Sequence, residues 1–292
     1  MRSLVFTNSA GVSVTLDSGS APFFIESLEG IDLPPVDFQS QKAPFQDGNT
    51  LIDQLFQPRT ITIQGAIRSS TPLQLSTVWA LRRTLSSVLN PKLGLGMLTY
   101  TYDGGAKKIA CVCVGLHLPN KVYPEPWQRF QIQLEAPNPY WMKTTLDSTS
   151  AGLVIAQTKF PIAFPAAGFA FSEIASGTTC SLINSGDVPT PIVVTFTGYC
   201  VNPTLVNITT GAFIHILTTL ALGETMIVNT AFGQKAVTLN RSGSASNGMI
   251  YLDPLSTFFQ LAVGTNQMQI YDDSGSGQFS CIIAKYDLFE GV

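Results

Sequence analysis

The chain has 292 residues, which is enough for one large domain or two of medium size. Hydrophobic residues make up 45% of it and charged residues only 12%, against a usual charged share of roughly 25%. So high an apolar content excludes an intrinsically disordered chain. The net charge of −3, without a clustered basic face, argues against nucleic-acid binding through the phosphates.

A surface with few charges lacks the Lys and Glu side chains that normally keep sheet edges and apolar patches from associating. Ser, Thr, Asn and Gln must supply most of the polar surface instead. This composition suits a protein whose surface is largely covered by neighbours, although secreted proteins have similar compositions.

The sequence contains no targeting or membrane signal. The first residues lack an apolar run long enough for a signal peptide, and no segment reaches about 18 uninterrupted apolar residues. We therefore expect no membrane segment and a protein that is made and folded in a cytoplasm. The five cysteines have no scaffold spacing, which favours buried free thiols over a disulfide or a metal site.

Short apolar runs between frequent Gly, Pro and Asn residues predict β-structure nearly throughout. The clearest strands of the first half are residues 23–28, 60–67, 97–102, 109–116 and 129–136. The last strand alternates strictly, with Phe130, Ile132 and Leu134 on one face and polar side chains on the other. It is therefore predicted as a half-buried antiparallel strand.

One segment, residues 70–91, has helical spacing instead. Thr71 can cap a helix whose first residue is Pro72, and Asn90-Pro91 ends it. Apolar side chains recur between these limits at helical intervals, so the segment predicts one amphipathic helix that lies on a sheet.

The strand pattern stops near Pro139-Tyr140-Trp141, and a Ser/Thr-rich stretch follows. We place a domain boundary here, which predicts an N-terminal domain of residues 1–145 and a C-terminal domain of residues 146–292. The second half contains only short strands, predicted at residues 179–184, 192–197, 212–217, 225–229, 236–240, 258–263, 267–271 and 280–287. This spacing is typical of a β-sandwich of the jelly-roll kind, so the fold class is mainly β.

Candidate reactive groups are few. His117 follows an apolar run and His215 lies within a predicted strand, so both are interpreted as structural. The run Asp272-Asp273-Ser274-Gly275-Ser276-Gly277 lacks the later acidic ligand of a calcium loop and favours a turn. Residues 164–171 form an irregular aromatic segment that leaves open a role in sugar stacking. We predict no catalytic, cofactor-binding or metal-binding residue, and no enzyme.

The order of landmarks along the chain resembles the distal tail (Dit) family of siphophages. In the first half these are Pro44-Phe45-Gln46-Asp47-Gly48, the strand that begins at Arg59, the single helix, Leu89-Asn90-Pro91, Leu98-Thr99-Tyr100 and Pro139-Tyr140-Trp141. In the second half they are Asn184-Ser185-Gly186-Asp187, Pro191, Gly198, Gly211, Gly223-Glu224, residues 261–266 and Phe289-Glu290-Gly291-Val292. Each motif is weak alone, but their joint order is specific and spans almost the whole chain.

The resemblance implies a structural subunit of a phage tail tip, or baseplate, that is assembled in the bacterial host cytoplasm and carried in the virion. It implies a hexameric ring between the tail tube protein and the tail fibre or receptor-binding hub protein, through which DNA would pass. The N-terminal domain would be sandwich-like with one helix and would build the ring, and the C-terminal domain would be a galectin-like β-sandwich. The alternative is a carbohydrate-binding module protein that contacts host cell-surface glycans.

A ring requires that one patch of each subunit meets a different patch of the next. Residues 60–67 and 129–136 are expected as pairing edges, with Arg59, Trp79, Phe130 and Ile132 as candidate interface residues. Trp79 could instead widen the core face of the helix, and a local salt bridge is the favoured alternative for Arg59. Pro139, Tyr140 and Trp141 are the candidate domain junction.

Overall fold

The computed structural model describes residues 2–19, 22–68, 75–119, 127–152, 178–273 and 279–292. Within these ranges the chain is mainly β with one α-helix, as the sequence predicted. The chain divides into two compact units: Met1–Thr144 together with Leu288–Val292, and Thr145–Asp287. The last five residues, which the sequence-based division placed with the C-terminal domain, thus return to the first unit.

The first part of the chain contributes β1 (Ser3–Thr7), β2 (Ser13–Asp17), β3 (Phe23–Glu29), β4 (Val36–Gln41), β5 (Thr50–Phe56), β6 (Arg59–Arg68), α1 (Leu75–Val88), β7 (Gly96–Tyr102), β8 (Gly105–His117), β9 (Trp127–Ala136) and β10 (Trp141–Lys143). The second unit contributes β11 (Asp147–Gly152), β12 (Thr178–Asn184), β13 (Thr190–Gly198), β14 (Cys200–Val201), β15 (Thr204–Asn207), β16 (Phe213–His215), β17 (Thr219–Leu220), β18 (Thr225–Asn229), β19 (Ala236–Arg241), β20 (Ser244–Asn247), β21 (Gln260–Leu261), β22 (Gly264–Tyr271) and β23 (Phe279–Lys285). The final strand is β24 (Leu288–Phe289), and Pro91–Leu93 and Met249–Tyr251 form short 3₁₀ helices.

The first unit is built on one sheet that closes on itself. Its strand order is β24-β10-β8-β7-β1-β2-β3-β6-β9, and β9 also pairs with β8, which completes a barrel. The predicted alternation of β9 is confirmed, because Phe130, Ile132 and Leu134 are buried in the core and the residues between them are exposed. Strands around a closed barrel have no free edge.

The predicted helix is confirmed as α1, which lies against β2 and β6. Val78, Leu85 and Val88 point into the core of the first unit at helical spacing. The predicted cap, Thr71, and the first helical proline, Pro72, lie outside the described residues. After α1, the Asn90 side chain accepts a hydrogen bond from the Lys92 backbone and begins the 3₁₀ turn, so the helix does not continue.

A buried arginine joins distant segments of the first unit. Arg59 opens β6 with only 1% of its surface exposed, and its Nε donates to the Pro139 carbonyl oxygen over 2.8 Å. Its Nη1 donates to the carbonyl oxygens of Gly30, over 2.8 Å, and Asp32. Its Nη2 donates to the carbonyl oxygen of Glu290. The guanidinium fork thus satisfies backbone acceptors from three segments that are remote from β6 in sequence.

The same place binds the end of the chain. Trp141 of β10 pairs with Phe289 of β24, and the Lys107 ammonium lies 4.1 Å from the centre of the Phe289 ring. Lys107 also donates to the Gly291 carbonyl oxygen over 2.7 Å. Burial lowers the pKa of Arg59 to about 10, and Asp32 opposes this shift, so the guanidinium stays charged at neutral pH. The last residues are therefore held by two cations.

The second unit is a β-sandwich, as the sequence predicted. One sheet has the order β11-β23-β13-β18-β19-β20, with β21 added beside β13, and the other has the order β12-β22-β15-β16. Apolar side chains of both sheets form one core, with Phe196 from the first sheet and Ile270 from the second among its members. Lys285 is buried at the end of β23, where it pairs with Asp287 and, over 3.4 Å, with Asp147.

All five cysteines are free thiols, and all except the half-buried Cys180 are fully buried. Burial raises the pKa of Cys111 and of Cys200 to about 12, and also raises the pKa of Cys113, Cys180 and Cys281. The thiolate is the reactive form of cysteine, so these groups are both shielded and protonated near neutral pH.

We predict that Arg59→Met lowers the free energy of unfolding by about 3–5 kcal/mol, because several buried carbonyl oxygens lose their donor. Arg59→Lys should be intermediate, since an ammonium keeps the charge but cannot donate in the geometry of the fork. Urea unfolding measures both variants, with Arg68→Met, an exposed arginine of the same strand, as control. A loss below about 1 kcal/mol for Arg59→Met would show that the buried fork is dispensable.

We also predict that a thiol reagent at pH 8 labels at most one cysteine of the folded protein, Cys180, and labels it slowly. The raised pKa values leave less thiolate at this pH than an ordinary cysteine has, and the fraction increases only as the pH approaches the shifted values. In urea all five thiols should react. Rapid reaction of two or more thiols without denaturant would contradict the prediction.

Candidate assembly surfaces

The strands expected as pairing edges are not edges. β6 pairs with β3 on one side and β9 on the other, and β9 pairs with β6 and β8. Phe130 and Ile132 are buried inside the barrel, so their side chains are not available to a neighbouring subunit. The expectation that they form an interface is wrong, because an alternating pattern reports which face is covered and not which edge is free.

Arg59 also differs from both sequence-based interpretations. It is buried, its guanidinium donates to backbone carbonyl oxygens, and it is not exposed to a neighbouring subunit. Its role is internal, because it connects the start of β6 with Glu290 near the last residue.

The predicted junction residues lie beside Arg59 within the first unit. Trp141 is fully buried, with its ring centre 6.0 Å from the Arg59 guanidinium carbon and 6.4 Å from the Tyr100 ring. Pro139 accepts a hydrogen bond from Arg59, and the Tyr140 ring meets the Phe56 ring edge-on with centres 6.0 Å apart. The structure therefore brings Arg59 and the three residues together, while their part in a domain junction stays a prediction.

Trp79 is on the outer side of α1 with 55% of its surface exposed. The Arg82 guanidinium carbon lies 4.6 Å from the centre of the Trp79 ring, a cation–π contact that restrains the indole. Arg82 is itself fixed by a 2.9 Å hydrogen bond to the Gln128 side chain. Trp79 does not widen the core face, and its side chain is available to a partner.

The most exposed apolar surface of the first unit was missed by the sequence analysis. Among the strands that the structure describes, β4 and β5 pair only with each other, and they form a two-stranded ribbon, hereafter the arm, residues 36–56. The exposed apolar side chains of the arm are Phe38, Phe45, Leu51, Ile52 and Leu55. The signal available in the sequence was two apolar-polar runs on either side of Gly48, which are typical of a hairpin.

The base of the arm is fixed to the unit. The Gln57 backbone donates to the Pro35 carbonyl oxygen over 2.8 Å, and Phe56 contacts Tyr140 as described above. Beyond this base nearly every residue of the arm is exposed on both faces. An isolated two-stranded ribbon is marginal in water, so its apolar residues require a surface to cover them.

The groups with possible chemistry are scattered. The His215 ring Nδ1 lies 2.9 Å from an Asp253 oxygen, while the Ser256 hydroxyl contacts the His215 backbone and not its ring. Hydrogen bonds from the Leu255 backbone and then from His215 lower the pKa of Asp253. Across the described ranges, no three His, Cys, Asp or Glu side chains are grouped so that they could hold a metal ion.

Two other candidates fall partly or wholly outside the described residues. Asp272 accepts a hydrogen bond from the Val201 backbone and Asp273 one from the Asn202 side chain, but residues 274–277 of that run are not described. The aromatic segment 164–171 is not described at all. Of the helices in the described ranges, none is long and apolar enough to cross a membrane.

Two family models match the chain in succession. The model of the phage tail protein RIFT-related domain matches residues 13–136, within the first unit, and the C-terminal domain of the siphovirus-type tail component matches residues 185–286, within the second. No curated protein matches the chain.

Solved structures share the whole fold. The Dit protein of phage SPP1, described as a paradigm of the hub adsorption apparatus in phages that infect Gram-positive bacteria, is 8% identical. Its TM-score is 0.67, and the alignment covers 97% of this chain and 98% of that one. Chains of the activated phage P2 baseplate with Ca and with Sr are both 11% identical, with TM-scores of 0.58 and 0.55. The alignment with the Ca structure covers 100% of this chain and 100% of that one, and the alignment with the Sr structure covers 98% of each.

At these identities the structural likeness shows the fold alone, while the family models address the sequence itself. Both models describe siphovirus tail components, and they match the two units of the chain in order. The chain belongs to the siphophage distal tail (Dit) family and is a structural component of the phage tail and virion.

Proposed function

We propose that the chain forms a hexameric ring at the tail tip that joins the tail tube protein to the tail fibre or receptor-binding hub protein. The role is structural and not enzymatic, and assembly takes place in the host cytoplasm. The hub and baseplate named for the similar structures support this role. The observation that carries the proposal is the exposed apolar arm beside a barrel without free edges.

The arm gives each subunit a projecting surface that its own fold does not cover. A ring needs such a heterologous contact, in which the arm of one copy meets a different surface of the next. Burying one Phe, Leu or Ile side chain contributes about 1.5–3 kcal/mol. The five exposed apolar side chains of one arm would contribute about 7–15 kcal/mol to a seam, which is comparable to the roughly 4–15 kcal/mol lost with translational and rotational freedom.

We further propose that the arm is received by the outer side of α1 in the neighbouring copy. The arm carries Asp37, Asp47 and Asp53 against the single cation Lys42, so it is acidic. The outer side of α1 presents Trp79 with Arg82 and the exposed Arg83. The arginines of α1 are opposite in charge to the acidic arm, so the two surfaces are electrostatically complementary. The exposed indole offers an apolar contact, and Trp and Arg are the side chains that most often dominate interfaces.

The ring proposal predicts that the purified wild-type protein forms rings that are visible by negative-stain electron microscopy. Mass photometry should give the mass of a hexamer. Phe38→Ser combined with Leu55→Ser should shift the protein to single subunits, because two apolar contacts are lost from every seam. The control is Val12→Ser, which removes an exposed apolar residue of the first unit outside the arm.

A wild-type chain that stays a single subunit, alone and with its tail partners, would contradict the ring. Rings of unchanged stability in the double variant would instead show that the arm is not the seam. Urea unfolding of the double variant separates loss of assembly from loss of fold.

A separate prediction concerns the outer side of α1 as the surface that receives the arm. Trp79→Ala should weaken ring assembly by about tenfold or more in dissociation constant, as is usual for a buried interface Trp. Arg83→Glu should also weaken assembly, and Asp53→Arg in the same chain should recover part of the loss by exchanging the two charges. The measurement is ring dissociation upon dilution, followed by mass photometry.

The exchange also tests the pairing itself. If Asp53→Arg does not improve the assembly of Arg83→Glu but weakens it further, the arm does not lie against the basic end of α1. Ring formation by the wild type would still stand in that case.

A further inference from the structure

Phe232 is presented to solvent on a rigid turn of the second unit. It lies between β18 and β19 with 77% of its surface exposed. The Gln234 backbone donates to the Ala231 carbonyl oxygen over 3.0 Å, and Gly233 has φ 74°, which is the geometry of a type II turn. The Asn229 side chain accepts a hydrogen bond from the Ala231 backbone over 3.0 Å. The exposed ring thus stands on a fixed support.

Lys235 lies over two aromatic rings that come from different segments. Its Nζ is 4.8 Å from the centre of the Phe232 ring and 5.7 Å from the centre of the Phe258 ring. Phe258 is held separately, because the neighbouring Thr257 backbone donates to the Phe213 carbonyl oxygen over 2.9 Å. The side chains of Phe232, Lys235 and Phe258 thus lie close together although they come from two segments that are distant in sequence.

The cation has no acidic partner among the described residues. Of the other basic side chains described in this unit, Arg241 pairs with Glu224 at 3.0 Å, and Lys285 pairs with Asp147 and Asp287. Among the described residues, the Lys235 ammonium lies against these two rings and makes no ion pair. Within the described part of the unit, no acidic side chain takes the three hydrogen-bond donors of this ammonium, and an anionic group from outside can accept them.

From this arrangement we infer that Phe232, Lys235 and Phe258 form a binding site for an acidic saccharide, a pyranose that carries a carboxylate or a phosphate. The C–H bonds on one face of a pyranose ring pack against the negative face of an aromatic ring. The anionic group then meets the Lys235 ammonium in a charge-assisted hydrogen bond. The site needs both parts: a flat apolar face and one positive charge.

The geometry favours a saccharide over a protein partner. The Lys235 ammonium lies 4.8 Å from the centre of the Phe232 ring, so an apolar protein pocket that received this ring would also have to desolvate the charge. A long polyanion is also disfavoured, because the described part of the unit carries more acidic than basic residues. A small ligand with one negative charge fits the single available cation.

The inference is independent of the hexameric ring and is tested on the full-length protein by ligand-observed saturation-transfer NMR. Galacturonic acid and galactose are the probes, because they differ only in the carboxylate at C6. We expect saturation transfer to galacturonic acid with a dissociation constant on the order of 1 mM, and at least about fivefold weaker binding of galactose. Phe232→Ala should abolish the signal, and Lys235→Gln should reduce the affinity for galacturonic acid about tenfold.

The chain offers a matched control in Leu222. It occupies the same position in an equivalent turn, with the Glu224 backbone donating to Ala221 over 3.1 Å and Gly223 at φ 87°, and it is equally exposed. Leu222→Ala should leave binding unchanged. Absence of transfer to either sugar at about 20 mM would overturn the inference, as would equal binding of both sugars or a signal that survives Phe232→Ala.

Discussion

The pairing of β8 with β9 is the constraint from which the surface properties of the first unit follow. It closes the sheet into a barrel, so the backbone hydrogen bonds of the barrel strands are satisfied within one copy. The strands within the closed ring therefore offer no edge to a neighbour, and the open edge of this sheet lies outside the ring, at β24. Copies must meet instead through side chains or through elements outside the barrel, and the arm is such an element. The scarcity of surface charge has a physical use in this setting, because apolar and neutral faces can be covered without desolvating ions.

An element could be predicted from the sequence when one of its faces is buried and the other is exposed. β9 and α1 each bury one face, so their periods were visible, and both were placed correctly. The arm was missed because neither of its faces is buried, and an exposed ribbon has no burial period to detect. The same reasoning explains the error at Phe130 and Ile132. Alternation identified them as core-facing, but which strands pair at the edges is a property of the closed sheet and not of one strand.

Arg59 shows a second limit of sequence analysis. A basic residue at the start of a strand is ordinarily exposed, and nothing local to Arg59 indicates that its acceptors come from Gly30, Pro139 and Glu290. Those partners are far apart in sequence and meet only because β24 returns to β10. Pattern analysis could therefore not predict that Arg59, a candidate interface residue, lies beside the candidate junction of Pro139, Tyr140 and Trp141. A charge is tolerated there because the guanidinium is matched by buried carbonyl oxygens.

Several basic side chains fall into two groups, those that bind groups inside their own unit and those that lie beside an exposed aromatic ring. Arg59, Lys107 and Lys285 act inside their own units, on carbonyl oxygens or on neighbouring carboxylates. Arg82 and Lys235 instead lie beside the exposed rings of Trp79 and Phe232. An exposed aromatic ring costs free energy in water, and a cation that fixes its orientation lowers the entropy lost when a partner covers it. In a chain with so little charge, the cations over these two exposed rings are therefore the basis of both proposed contacts, with a protein subunit on one unit and with a small anion on the other.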